Sequence, residues 1–254
     1  MDVDFGKTAS DYAKYRAGFP DRFFDRLFSN NVVVKGDRVL DLGTGTGSIA
    51  RGLASRGCIV TGLDPSTAMV EQARALDREA GVTMRYVQAR AEDTRLPDAS
   101  FDVVTAGQCW HWFDRSKAAR EARRLLAPSG RILIAHFDWL PYPGNVVEAT
   151  ETLIRAHNPT VDLDDGTGMH PVWFADLHQA GFGDIESFSF DVALRYSHEG
   201  WLGRIRASTG VGASLSPEAV ERFNSDHRAL LLRDFPDAPL QVPHRVFAIF
   251  GRNP

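Results

Sequence analysis

Short apolar runs alternate with longer stretches of helical period through the first half of the chain. Val39-Leu42, Ile59-Leu63, Thr83-Gln88, Phe101-Ala106 and Arg131-Phe137 read as strands. The segments near Ser48-Arg56, Ser66-Ala80 and Ser116-Leu126 read as helices, because their apolar residues recur at three- and four-residue intervals. Strand and helix repeated in this way form βαβ units, which wind right-handed and build a parallel sheet covered on both faces. The expected class is therefore α/β, a doubly wound and mostly parallel sheet. Pro65 and Ser66 mark a helix start, and Pro128-Gly130 in "RRLLAPSGRIL" predict a helix end before the next strand.

Beyond Phe137 the alternation loosens. "DWLPYPGN" is a turn-rich break, followed by helical patterns near Val146-His157, Val172-Gly181, His198-Ser208 and Pro217-Arg233. Strand patterns at Ile185-Leu194 and His244-Phe250 read as a hairpin-like edge that completes the sheet, with the helices inserted as a cap. The expected organisation is one domain over 1–254: an N-terminal helical lid at 1–36, a core at 37–137, and cap helices with the last strands at 138–254.

Composition narrows the partners more than the fold. With 43% hydrophobic and 24% charged residues and a formal net charge of -4, the chain is of ordinary globular type. It has no basic block, which argues against a nucleic-acid substrate. Cys58 and Cys109 have no metal-ligand spacing, so no metal is expected, and two thiols suit a reducing cytoplasm. The N-terminus lacks the apolar core of a secretion signal, and no run approaches the ~20 apolar residues that span a bilayer. A soluble, unprocessed, cytoplasmic protein, monomeric or homodimeric, is expected.

Chemistry concentrates in "DRVLDLGTGTGSIARGLASRG". Glycines at 43, 45 and 47 follow a strand and open a helix, where backbone can approach a ligand and helical N–H groups face whatever is bound. Ligands of open α/β sheets bind outside such strand ends. Tight packing alone would also explain the glycines. Gly45-x-Gly47-x-x-Ala50, with Asp64 19 residues beyond Gly45, further satisfies the tolerant dinucleotide fingerprint, which would make the chain a nicotinamide- or flavin-dependent enzyme. Asp41 opposes that reading. A carboxylate two residues before the first glycine repels a pyrophosphate by a few kcal/mol at an effective dielectric constant of ~20, and attracts a cation by as much.

"VLDLGTGTG", "VTGLDPS" and "VQARAEDTRLPDASFDVV" together resemble the class I S-adenosylmethionine-dependent methyltransferases, most closely the small-molecule group called type 11. The resemblance is strong over about Arg38-Phe137. It implies a seven-stranded Rossmann-like sheet, S-adenosyl-L-methionine as cofactor and a small-molecule methyl acceptor. It implies that Asp41, Gly43, Thr44, Gly45 and Gly47 face the methionine portion, and that Asp64, with Pro65 and Met69 behind it, accepts the ribose hydroxyls. It places Ala91 and Glu92 at the adenine and Gln108 beside the methyl group. Arg90 departs from the family pattern, because many members carry an acid there. Upstream, "DFGKTASDYAKYRAGFP" resembles a segment that folds over the cofactor, with Tyr12, Tyr15 and Arg16 as candidates to close the site; Tyr12 and Tyr15 could equally pack one helix face.

His111, in "CWHWFD", follows the fourth strand and is the candidate general base, which a hydroxyl or neutral amine acceptor would use. Walling an apolar pocket is the alternative for the same segment. Trp139, Tyr142, His170, Trp173, Trp201, Arg204 and Arg206 mark a region suited to a partly aromatic acceptor. A non-catalytic cofactor-binding protein would share the glycine loop.

Overall fold

The computed structural model describes residues 15, 17–163 and 166–254. Seven strands lie in the order β3-β2-β1-β4-β5-β7-β6: β1 Arg38–Leu42, β2 Ile59–Leu63, β3 Arg85–Val87, β4 Phe101–Gly107, β5 Leu126–Trp139, β6 Gly183–Tyr196 and β7 Leu240–Arg252. β1 pairs in parallel with β2 and β4, β2 with β3, and β4 with β5. β7 runs against β5, since Ser129 donates to the Asn253 carbonyl at one end and Leu140 to the Pro243 carbonyl at the other. The ion pairs Arg252–Asp184 and Arg245–Asp191 give β6 and β7 the same opposed sense. The late strands therefore form the edge that their alternation predicts, with β7 inserted between β5 and β6.

Eight helices are numbered here: α1 Asp21–Ser29, α2 Ser48–Ala54, α3 Thr67–Ala80, α4 Arg115–Leu125, α5 Val146–His157, α6 Val172–Gln179, α7 His198–Arg206 and α8 Pro217–Asp234. Their starts follow local chemistry. The side chains of Ser66, Asp114, Asn145, Ser197 and Ser216 each accept a backbone N–H three residues on, satisfying a donor that the helix leaves unpaired. Gly81, left-handed at φ 66°, ends α3. No helix among the described residues is long and apolar enough to cross a membrane.

One boundary departs from expectation. α4 ends at Leu125 and β5 begins at once, so Pro128-Gly130 lie within the strand rather than before it. Phe101 pairs with Leu126 and Val103 with Arg131, so β5 takes five steps where β4 takes two. The surplus forms a bulge, with Ser129 at φ 64°.

The chain divides into two compact units. The first comprises Gly18–Phe137, Met169–Ser189 and Val246–Pro254; the second comprises Asp138–Gly168 and Phe190–Arg245, with the described residues before Gly18. This differs from the division at 36 and 137. Residues 18–36 join the sheet because Phe19, Phe23, Phe24 and Leu27 are buried there, Phe19 against Phe137 at 5.8 Å. Residues 169–189 return because Trp173, Leu177 and Phe182 enter the core of Leu40, Val104, Ile132 and Ile249. The second unit has its own core around Val147, Trp201, Ile205, Phe223 and Leu231.

Candidate functional site

The glycine loop leaves β1 at Leu42 and enters α2 at Ser48. Gly43, Gly45 and Gly47 take φ of 58°, 54° and 81°, a region other residues enter at a cost of about 1–2 kcal/mol. A Cβ on Gly45 would meet no atom within 4 Å, so the backbone there is open to close approach by a ligand. Gly43 is packed on its other side, where a Cβ would come within 3.0 Å of the Cys109 sulfur.

Three of the loop amides are engaged within the protein. Thr44 N–H donates to the Leu63 carbonyl at 2.9 Å and Gly47 N–H to the Thr44 carbonyl at 2.8 Å. Gly45 N–H donates to Asp64 Oδ2 at 2.9 Å. Three donors that a phosphate-binding loop would turn toward its anion are thus engaged inside the protein.

Asp64 follows β2 and is pinned on both oxygens, since Ser66 N–H also donates to Oδ1 at 2.9 Å. Burial raises its pKa, against those two bonds. Asp41 lies on β1 opposite Gly62 and Thr105 in the register, and only 2% of it is exposed. The Thr105 hydroxyl donates to its Oδ1 at 2.6 Å. Burial pushes its pKa up to about 6, and the Thr105 bond opposes the shift. Two buried acids therefore flank a loop in which the amides of Thr44, Gly45 and Gly47 are engaged within the protein, an arrangement that suits hydroxyl donors and a cationic group.

The other expected residues fall into three groups. Ala91 and Met69 are buried in the first unit, and the Pro65 carbonyl accepts from Gln88 Nε2 at 3.1 Å. Glu92 accepts from Asp114 N–H at 3.0 Å and pairs with Arg90 at 3.5 Å, so it anchors the start of α4 as well as lying beside Ala91. Gln108 closes β4 at φ 65°, rare for a residue with a side chain, and its amide donates to the Phe137 carbonyl at 3.0 Å. Tyr15 belongs to the second unit, where its ring covers Gly203 of α7. Tyr12 and Arg16 lie outside the described residues.

His111 is exposed in the short turn Trp110–Trp112 that follows β4. Its ring lies 5.2 Å from that of His136 on β5, and His136 lies 4.6 Å from His170. His170 stacks on Trp173 at 4.1 Å. Ring nitrogens of His136 and His170 approach within 4.8 Å, a reach that two ligands of one ion would need and that no spacing in the sequence reveals. The aromatic region expected downstream is divided. His170 and Trp173 belong to the first unit, whereas in the second Trp139 packs on Trp201 at 5.5 Å and under the Arg204 guanidinium at 4.6 Å. Tyr142 bonds to Arg245 and Asp191, and Arg206 borders a polar cavity of about 400 Å³ with Glu221, Asn224 and Arg228.

Sequence reasoning missed Thr105 and a cluster beneath the loop formed by Arg51, Asp77 and Tyr86. Both carry a signal. Thr105 is a polar residue in the buried stretch of an otherwise largely apolar strand, and Asp77 continues the buried stripe of Met69 and Ala73 at four-residue spacing.

A family model describing a methyltransferase domain matches residues 40–134. The chain is 33% identical to the 27-O-demethylrifamycin SV methyltransferase of Amycolatopsis mediterranei over 239 residues, 92% of this chain and 79% of that one. It is 34% identical over 132 residues to an uncharacterized methyltransferase of Mycobacterium bovis, a match that takes in 52% of this chain and spans about half of that relative's length, 51%. Among solved structures, YcgJ of Bacillus subtilis shares the fold at a TM-score of 0.61 and 23% identity, covering 92% of this chain and 98% of that one. The chain belongs to the class I S-adenosylmethionine-dependent methyltransferases, in the type 11 family.

Proposed function

We propose that this protein transfers a methyl group from S-adenosylmethionine to a small-molecule acceptor, and that an oxygen atom receives it. One observation carries the reading: the N–H groups of Thr44, Gly45 and Gly47 are bonded within the protein while Asp41 and Asp64 lie buried beside them. A diphosphate would find two acids there and three of the loop's donors already engaged. An amino acid ammonium and a pair of ribose hydroxyls would find acceptors.

When bound, S-adenosylmethionine supplies a methyl group already activated by the positive charge on its sulfur. The protein's part is binding, orientation and exclusion of water. Asp64, held by Gly45 and Ser66, keeps acceptor capacity on each oxygen for two hydroxyl donors. Asp41 supplies the negative charge for the ammonium. Ala91 and Glu92 would hold the adenine, and Gln108, fixed on the Phe137 carbonyl, would hold the end of β4 toward the transferred group. His111 is the base that takes the proton of an acceptor hydroxyl at its imidazole nitrogen. Oxygen is favoured over nitrogen or carbon because a relative aligned over 92% of this chain is named for an O-demethyl acceptor, 27-O-demethylrifamycin SV.

Thermal unfolding tests the reading. S-adenosylhomocysteine at 100 times its dissociation constant stabilises a specific binder by about 2.7 kcal/mol, whereas NAD at the same concentration leaves the midpoint unchanged. Stabilisation by NAD alone would refute it.

A further inference from the structure

The glycine loop is fastened from below by three side chains that no motif contains. Arg51, on the first turns of α2, donates through Nη2 to the Thr46 carbonyl at 3.0 Å and through Nη1 to Asp77 Oδ1 at 2.9 Å. Asp77, on α3 and 4% exposed, accepts from the Tyr86 hydroxyl on β3 through its other oxygen at 2.7 Å. Burial, then Asp77, raise the Tyr86 pKa, so the phenol stays protonated and remains a donor. Each carboxylate oxygen of Asp77 therefore has one partner, and the planar fork of Arg51 spans two acceptors that a lysine could not hold together.

The Thr46 carbonyl belongs to the same peptide plane as Gly47 N–H, which donates to the Thr44 carbonyl. That plane is thus fixed at both ends, between two left-handed glycines that on their own leave a loop conformationally free. A Cβ on Gly47 would come within 3.2 Å of Arg51 Nη1 and 3.3 Å of the Tyr86 hydroxyl, so the loop rests directly on the cluster. Gly62 of β2 makes room for the same ring, 2.7 Å from where its Cβ would stand.

We infer that Asp77 is a positioning residue for cofactor binding, acting through Arg51 and Tyr86 to hold the Thr44–Gly47 backbone in its binding shape before the ligand arrives. This rests on the reading that the loop receives S-adenosylmethionine. An amide at position 77 carries no charge and offers one acceptor oxygen where two donors converge, so it cannot accept from the Arg51 fork and the Tyr86 hydroxyl together. The loop then samples other shapes, and affinity falls by the fraction of time the competent one is populated. Chemistry after binding is untouched.

The test measures S-adenosylhomocysteine affinity by calorimetry and stability by urea unfolding in the same variants. Asp77→Asn and Arg51→Lys raise the dissociation constant at least tenfold and fivefold, and Tyr86→Phe, which leaves the Arg51–Asp77 pair intact, raises it less than either. Glu121→Gln is the control. It breaks a comparable cluster in which Glu121 accepts from Thr94 and Arg124, and it lowers stability while keeping the dissociation constant within twofold of wild type. If Asp77→Asn does not fold, Arg51→Lys carries the same criterion. An Asp77→Asn or Arg51→Lys constant within twofold of wild type, or an equal rise in Glu121→Gln, overturns the inference. Wild type that binds no S-adenosylhomocysteine overturns the functional reading itself, and this inference with it.

Discussion

Replacing Asp41 by Asn exchanges a buried carboxylate for a neutral side chain of the same shape, and separates what the residue does to the fold from what it does for the ligand. Burial holds the folded-state pKa at about 6 against an ordinary 3.8, so between those values the folded chain binds more protons than the unfolded one. Stability is therefore lost as pH rises through that window and stays lowered above it. At 1.36 kcal/mol per unit, the ionised carboxylate costs the ligand-free protein about 3 kcal/mol at pH 7.5. Asparagine still accepts from Thr105 and carries no charge. The variant should accordingly be more stable than wild type by up to about 3 kcal/mol in urea at pH 7.5, with the gain shrinking toward pH 4. Binding moves the other way. Without a negative charge opposite the ligand's ammonium, S-adenosylhomocysteine should bind at least tenfold more weakly by calorimetry, about 1.4 kcal/mol or more. A variant less stable than wild type at pH 7.5, or one that binds S-adenosylhomocysteine equally well, would refute this account of Asp41.

Two further outcomes follow from other sites. His227 is fully buried in the second unit; Thr150 donates its hydroxyl to the Val146 carbonyl, so His227 Nε2 must be the donor to Thr150 at 3.2 Å, and Nδ1 has no hydrogen-bond partner among the described residues. Burial lowers its pKa from 6.5 to about 4, so its contribution is complete above pH 6.5 and is lost as pH falls toward 4; wild type should lose about 2–3 kcal/mol relative to His227→Gln between pH 7.5 and pH 4.5 in urea titrations, and parallel pH profiles would disprove it. His111→Ala should lower turnover of a hydroxyl acceptor by 10²–10⁴ while S-adenosylhomocysteine affinity stays within twofold, and a loss below tenfold removes its role as base.

The elements were legible where a period and a cap agreed. Ile59–Leu63 and the helix near Val146–His157 are legible, because a short apolar run closed by Asp64-Pro65 and an amphipathic helix capped by Asn145 each leave one solution. The β5 bulge was not legible. A proline and a glycine between helix and strand ordinarily mean a loop, and only the register against β4 shows that they lie within the strand. The division of the chain was hidden for a similar reason. Phe19 and Trp173 are 154 positions apart in sequence, and nothing local tells an apolar residue which core it will enter.

The site poses the harder case, because one spacing serves two ligands. Gly45, Gly47 and Ala50 satisfy a dinucleotide fingerprint as well as a methyltransferase motif, and glycine needs the same left-handed φ in either. The distinction lies in where the loop's N–H groups point, and that is set from a distance: by Asp64 taking Gly45, by the Leu63 carbonyl taking Thr44, and by Arg51 holding Thr46 from the far side. Asp41 gave the sequence its single electrostatic clue. Its partner Thr105, 64 residues away, turns that clue into a mechanism, because a hydroxyl donating to one oxygen fixes the acid in place without neutralising it. On the function proposed above, ligand charge is selected by Asp41 and Asp64, which flank the glycines, and loops of identical glycine spacing with different residues at positions 41 and 64 are expected to bind ligands of different charge.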